Sequence, residues 1–147
     1  MTPAAPFVDY AVLVPDRFID YNGHMNDASY AQVLTDANEL FLEFLGLSAA
    51  YRDASGCALY TVEMNIRFLR EVSVGVELRA QTVLASHDRK RVRLRTTVVG
   101  PDGEPVATGD SLYLHVDSTR GAVVEFPVDR VQVLASTQRA HDALSDR

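Results

Sequence analysis

Several features that mark particular protein classes are scarce or absent in this chain. Its 147 residues include one cysteine, Cys57, which excludes an internal disulfide and a multi-cysteine zinc site and favours a reducing cytoplasm. The 14 basic and 20 acidic residues give a net charge of −6, which argues against a general nucleic-acid binder. No apolar run approaches the roughly 20 residues that cross a bilayer, and the N-terminus lacks a signal-peptide pattern. We therefore expect a soluble cytoplasmic protein without nucleic-acid or membrane partners.

Metal and nucleotide signatures are also missing. The histidines at 87, 115 and 141 lack the clustered spacing of a metal site, and there is no glycine-rich nucleotide fingerprint. Internal repeats, low-complexity tracts and linkers are absent too. Because 47% of the residues are apolar and 23% are charged, the composition is that of an ordinary folded domain. We expect one domain over residues 1–147, with no metal and no organic cofactor.

The segment most suggestive of chemistry is Asp20-Tyr-Asn22-Gly23-His24-Met. Its carboxylate, amide and imidazole converge only if the backbone turns, which Gly23 permits. A carboxylate that acts as base or nucleophile, beside groups that orient a substrate, suits acyl-transfer hydrolysis. The same residue types are common in purely structural loops at helix starts, so the spacing alone leaves both interpretations open.

Hydrophobic periodicity predicts an α+β fold. Apolar residues recur at spacings of three and four between residues 28 and 45, which predicts a helix of about five turns. Asn26 or Asp27 can cap its start, and Gly46 can end it. Alternation predicts strands at residues 7–14, 61–69, 76–85, 92–98 and 105–116.

The order of these elements predicts how they pack. A long helix followed by hairpin-linked strands favours an antiparallel sheet curled around that helix. We expect this core over residues about 7–116 and a strand or helix extension over 117–147. Residues 51–57 are predicted to form a loop, and residues 128–144 are compatible with a helix.

The motif resembles a known signature. Asp20-x-x-Gly23-His24-x-Asn26, with Tyr30 ten residues after the aspartate, is similar to the signature of hotdog-fold thioesterases of the 4-hydroxybenzoyl-CoA thioesterase-like branch. The resemblance implies a hotdog fold, in which the sheet wraps a central helix, and an acyl-CoA substrate. It also implies that Asp20 is catalytic, either as general base or as nucleophile.

A closer likeness is visible in residues 21–28, 60–63 and 66–72, which resemble the thioesterases of bacterial carnitine catabolism, some of which are fused to carnitine dehydrogenase. This resemblance implies betainyl-CoA as substrate. Tyr21 and Asn22 depart from the broader family, many members of which have proline and another residue there. A substrate with an aromatic or medium-chain acyl group, and a non-catalytic acyl-CoA-binding role, stay open.

The resemblance implies roles for the motif residues. His24 and Asn22 orient Asp20 or contact the thioester, and the backbone N–H groups from Gly23 to Met25 hold the developing oxyanion. For His24, a hydrogen-bonded structural role is the alternative.

A second set of residues is expected to bind substrate between two subunits. Glu63 is a further candidate catalytic carboxylate, placed across a dimer interface from Asp20; the alternative is a solvated strand residue. With Tyr21 or Tyr60 it would hold a trimethylammonium group by charge and cation–π attraction. Asn26 completes the predicted substrate contacts, and we expect a homodimer or homotetramer.

Basic residues are candidates for the phosphates of CoA, because a guanidinium donates two hydrogen bonds at once. A run of charges is more often simply a solvated face, so each of these residues is a separate candidate. The candidates are Arg67, Arg70, Arg89, Lys90 and Arg91.

Overall fold

The computed structural model describes residues 6–145, in which one curled antiparallel sheet wraps around one long helix. The sheet has the order β1-β3-β4-β5-β2, with β6 paired to β5. The predicted α+β class is confirmed. The strands are β1 (Phe7–Leu13), β2 (Cys57–Phe68), β3 (Glu77–His87), β4 (Arg91–Val99), β5 (Pro105–Asp117) and β6 (Ala122–Val123). The helices are α1 (Asp27–Phe44), α2 (Ala49–Ser55) and α3 (Val128–Ser145), and a 3-10 turn spans Asp16–Phe18.

Helix α1 lies close against the inner face of the sheet. Its apolar face is buried, with Leu34 and Phe41 both 0% exposed. A Cβ added to Gly109 on β5 would lie only 2.7 Å from Leu34 Cδ1. Glycine at this position therefore allows the middle of the helix to approach the sheet.

A buried polar group sets the rotation of α1 against the sheet. Asn38, 1% exposed, accepts a 2.7 Å hydrogen bond from Thr96 Oγ1 and donates to Ser111 Oγ at 3.2 Å and Tyr113 OH at 3.0 Å. A buried amide without these partners would cost about 1–3 kcal/mol. These three hydrogen bonds hold α1 in the rotation seen here.

Strand β2 forms an edge of the sheet in the part of the chain that the structure describes, since it pairs with β5 alone. Its register slips between Thr61 and Glu63, so Val62 occupies a bulge. Directly paired residues share a face of the sheet. Glu63 lies opposite Leu112 and points outward, whereas Ile66 packs into the core beneath α1.

Helix α3 covers the part of β3 that β1 leaves open. Strand β1 pairs with β3 only as far as Thr82. Beyond that point, the Leu84 N–H donates to His141 Nδ1 at 2.7 Å, and Gln138 Nε2 donates to the Leu84 carbonyl at 2.9 Å. Burial lowers the pKa of His141. Two side chains thus replace the backbone partners that a longer β1 would provide.

The predicted loop at 51–57 is wrong. Helix α2 occupies most of it, and β2 already begins at Cys57. Ala49, Ala50 and Arg52 are good helix formers, and Gly56 ends the helix at a φ of 73°. The segment buries no residue, so it lacks the apolar stripe that would have identified it. Among residues 6–145, no helix is long and apolar enough to cross a membrane.

Candidate active site

The motif loop closes on itself by backbone hydrogen bonds. The Asp20 N–H donates to the His24 carbonyl at 3.0 Å, and the Gly23 N–H donates to the Asp20 carbonyl at 3.0 Å. Gly23 adopts a φ of 81°, so the turn expected there is present. The Asn22 N–H donates to Asp20 Oδ1 at 2.8 Å. The loop therefore holds the aspartate directly beside the histidine.

The loop is fixed to its surroundings at its C-terminal end. Met25 is buried and its N–H donates to the Val72 carbonyl at 2.8 Å. Asn26 Oδ1 caps α1 by accepting the Ser29 N–H at 2.9 Å, while Asn26 Nδ2 donates to the Phe18 carbonyl at 3.0 Å. The motif therefore lies against the positive N-terminal end of α1, which favours nearby negative charge.

A cleft of about 310 Å³ opens beside the motif loop. Tyr30 and Phe68 lie edge to face, with their ring centroids 5.2 Å apart. The Tyr30 hydroxyl donates to the Arg70 carbonyl at 3.0 Å, which ties α1 to the segment after β2. Burial and the nearby Glu71 raise the pKa of Tyr30. The cleft is lined by His24, Met25, Asp27, Tyr30, Phe68, Leu69, Arg70 and Glu71.

Negative charge dominates this cleft. Arg70 forms two hydrogen bonds of 3.0 Å to Asp102, and the guanidinium lowers the pKa of Asp102 to about 2. The positive charge of Arg70 is therefore already balanced. The carboxylates of Glu71 and Asp27 remain, and Glu71 Oε2 lies 3.4 Å from His24 Nε2.

Two of the amides expected to hold an oxyanion already have partners in this structure. The Gly23 N–H bonds the Asp20 carbonyl, and the Met25 N–H bonds the Val72 carbonyl. Within residues 6–145, the His24 N–H has no hydrogen-bond acceptor. Among these three amides, it is the one free to meet a ligand.

Several predicted site residues lie away from the cleft in a single copy of the chain. Glu63 and Arg67 project from the outer side of β2, opposite the inward-facing residues beneath α1. Tyr60 precedes Phe68 by eight positions on β2, a separation of about 25 Å along a strand. Lys90 lies at the same far end as Tyr60, since its carbonyl accepts the His115 N–H on β5. Tyr21 is 97% exposed.

Phe68 and Glu71, which line the cleft, were not among the predicted site residues. In the alternation of the predicted strand at residues 61–69, Phe68 falls on the apolar side with Met64 and Ile66, and Glu71 lies outside the Asp20 motif. Their sequence signal is weak, although both belong to the segment 66–72 that carries the closer family resemblance. Non-local hydrogen bonds bring them to the motif loop.

The sequence is similar to known proteins over most of its length. A model of the thioesterase-like superfamily matches residues 14–137. The betainyl-CoA thioesterase of Pseudomonas aeruginosa is 38% identical over 135 residues, covering 89% of this chain and 85% of that protein. The L-carnitine dehydrogenase/betainyl-CoA thioesterase of Agrobacterium fabrum is 46% identical over 110 residues, covering 75% of this chain. The matched region is 22% of that longer relative.

A solved structure shares the fold. A hypothetical protein from Staphylococcus aureus, determined in complex with CoA, superposes with a TM-score of 0.87 at 24% identity. The match covers 96% of this chain and 90% of that one. The predicted hotdog fold is confirmed.

Proposed function

Because this chain belongs to the thioesterase-like superfamily, we propose that it hydrolyses a small acyl-CoA thioester, with betainyl-CoA as the preferred substrate. The observation that carries the proposal is the 38% identity to a betainyl-CoA thioesterase along nearly the whole chain. The Asp20 loop beside a negatively charged cleft supports it, because the betainyl group is cationic. The names of these relatives also support the proposal that the reaction belongs to carnitine degradation, and the single cysteine supports the proposal of a cytoplasmic enzyme.

The proposed chemistry centres on Asp20. As a general base, its carboxylate takes a proton from water while the water oxygen adds to the thioester carbonyl carbon. The carbon–sulfur bond then breaks, and the sulfur leaves with the electron pair and takes the proton. As a nucleophile, the same carboxylate adds to the carbonyl carbon, the carbon–sulfur bond breaks, and the thiolate leaves with the electron pair and takes a proton from water. Water then cleaves the mixed anhydride, which releases the acid and restores the Asp20 carboxylate. The hydrogen bond from the Asn22 N–H to Oδ1 orients the carboxylate in either route.

In both routes the carbonyl oxygen becomes negatively charged. We assign the stabilising donor to the His24 N–H, because it is the amide of this turn without an acceptor in the described chain. The positive end of α1 adds to the favourable field. The His24 side chain, held near Glu71, then faces the cleft as a contact for substrate rather than for Asp20.

We propose that two copies pair through β2. This edge strand exposes Tyr60 and Val62, each about half exposed, and an exposed apolar edge is a pairing surface. Antiparallel pairing about a twofold axis would bring Tyr60 of one copy toward Phe68 of the other. It would also move Lys90 of the second copy toward the first cleft, where the phosphates of CoA need a cation.

Two further candidates for the phosphates of CoA, Arg67 and Arg70, differ in their availability. Arg67 is exposed and has no ion pair within residues 6–145, whereas Arg70 is bound by Asp102. Arg67 and Lys90 are therefore the stronger proposals.

Light scattering tests the dimer: wild-type protein should have twice the chain mass, and a Val62→Lys variant should shift toward monomer.

The first experiment measures thiol release from betainyl-CoA, acetyl-CoA, a medium-chain acyl-CoA and 4-hydroxybenzoyl-CoA. We expect betainyl-CoA to give the highest kcat/KM. A higher kcat/KM for another thioester would support the thioesterase activity but contradict betainyl-CoA as the preferred substrate. Release from none of them by folded protein would overturn the proposed activity.

A further inference from the structure

We propose that the cleft beside the motif loop is the subsite for the cationic head of the acyl group, with Phe68 and Glu71 as the residues that determine specificity. The inference rests on the proposed thioesterase function and deepens it. It assigns the recognition of a quaternary ammonium to residues within one copy of the chain.

Chemistry limits how such a group is recognised. A trimethylammonium carries a full positive charge but has no N–H to donate. It is therefore bound by aromatic faces and by carboxylates that need not form a hydrogen bond. The cleft contains both kinds of group and is large enough, at about 310 Å³, for the head and its methyl groups.

The aromatic wall is Phe68, whose side chain is 53% exposed at the end of β2. Tyr30 meets it edge to face at 5.2 Å and is itself anchored through its hydroxyl to the Arg70 carbonyl. An exposed phenylalanine supported in this way is held in place without being covered. It is available to a ligand in the cleft.

The charge of the cleft fits the same ligand. Arg70, its cation, is already bound by Asp102, so it does not repel a second positive charge strongly. Glu71 and Asp27 are the acidic residues of the lining, and neither forms an ion pair with Arg70. His24 lines the cleft and its carbonyl accepts the Asp20 N–H, so this negative cleft adjoins the loop that carries the proposed catalytic carboxylate.

The test compares two thioesters of nearly the same shape, betainyl-CoA and 3,3-dimethylbutyryl-CoA, in which carbon replaces the charged nitrogen. We expect the wild-type ratio of kcat/KM to favour betainyl-CoA. Phe68→Leu and Glu71→Gln should each lower that ratio by about two- to fivefold. Phe68→Tyr keeps an aromatic face and should retain the ratio. Asp53→Asn, which removes a charge from an exposed site on α2, is the matched control.

The ratio separates recognition from general damage. If Glu71→Gln lowers both rates equally, Glu71 only positions His24 and the inference fails for that residue. Equal rates for the two thioesters in the wild type would overturn the cationic subsite while leaving a thioesterase. Binding of glycine betaine, followed by NMR shifts of the Phe68 ring, tests the subsite even if no thioester is cleaved. Absence of these shifts at saturating betaine would also overturn it.

Discussion

Arg70 and Asp102 form a bidentate ion pair, in which the two guanidinium nitrogens each donate to one carboxylate oxygen at 3.0 Å. A third hydrogen bond of 3.1 Å joins Arg70 to the Glu104 carbonyl. The segment that lines the cleft is thereby tied to the turn between β4 and β5. The pair gives this wall of the cleft a fixed position, although both partners are on the surface.

Removal of this pair should have a pH-dependent effect. The folded pKa of Asp102 is lowered to about 2, so the stabilisation is present above the unfolded pKa of roughly 4 and is lost as pH falls toward 2. The stability difference between wild type and Asp102→Asn should be constant from pH 7 to about 4 and shrink below that. Urea unfolding across this range measures it. A difference that grows on acidification would contradict the assignment.

Asp20→Asn should lower turnover by at least about 10²- to 10³-fold, the loss that follows removal of a single oxyanion donor. The variant retains the shape of the side chain but not its basicity. Asp9→Asn, an exposed change on β1, is the matched control and should keep the wild-type rate. Steady-state thiol release measures the turnover of both variants. A near-normal rate for Asp20→Asn would show that Asp20 is not a catalytic residue.

Asn26 performs two structural tasks, and its variants should separate them. Asn26→Ala loses both the cap on α1 and the bond to the Phe18 carbonyl, at a cost of about 1–2 kcal/mol. Asn26→Asp keeps the oxygen that accepts the Ser29 N–H and should lose less. Urea unfolding gives both values. Equal losses would mean that the cap contributes nothing measurable.

His141 should make folding stability depend on pH near neutrality. Burial lowers its folded pKa below 6.5, with Asp142 opposing part of the shift. The unfolded chain then binds a proton at higher pH than the folded chain does. The contribution is fully present above about pH 6.5 and is lost as pH falls. His141→Gln retains an acceptor for the Leu84 N–H and should flatten the fall in stability between pH 7 and 5. An unchanged slope would contradict this reasoning.

Glu63 offers a direct comparison with the cleft residues. On the outer face of β2, it reaches a substrate only if a second copy brings it there. Glu63→Gln should change the ratio of kcat/KM for betainyl-CoA over a neutral acyl-CoA if that arrangement exists. An unchanged ratio in a confirmed dimer would leave Glu63 as a solvated strand residue.

The fold was predictable because its signals are local. Helix α1 and the strands each carry their own periodicity, and the cap at Asn26 lies within one turn of the helix it begins. The bulge at Val62 was not predictable, since simple alternation placed that residue with Met64 and gave no sign of a slip in register.

The cleft depends on contacts that are distant in sequence. Tyr30 and Arg70 are 40 residues apart, and Met25 reaches Val72 through a backbone hydrogen bond that no side-chain pattern encodes. The motif identified the wall that contains His24 and Met25. The opposite wall, from Phe68 to Glu71, is recognisable only in the folded chain.

The hydrogen bonds from α3 to the edge of β3 determine how far a fragment of this chain must extend. The family match stops at residue 137, whereas the hydrogen bonds that satisfy the β3 edge come from Gln138 and His141. A fragment trimmed to the family boundary would expose unpaired backbone at that edge, which is a template for aggregation. Recombinant fragments and domain fusions should therefore retain the chain at least through His141.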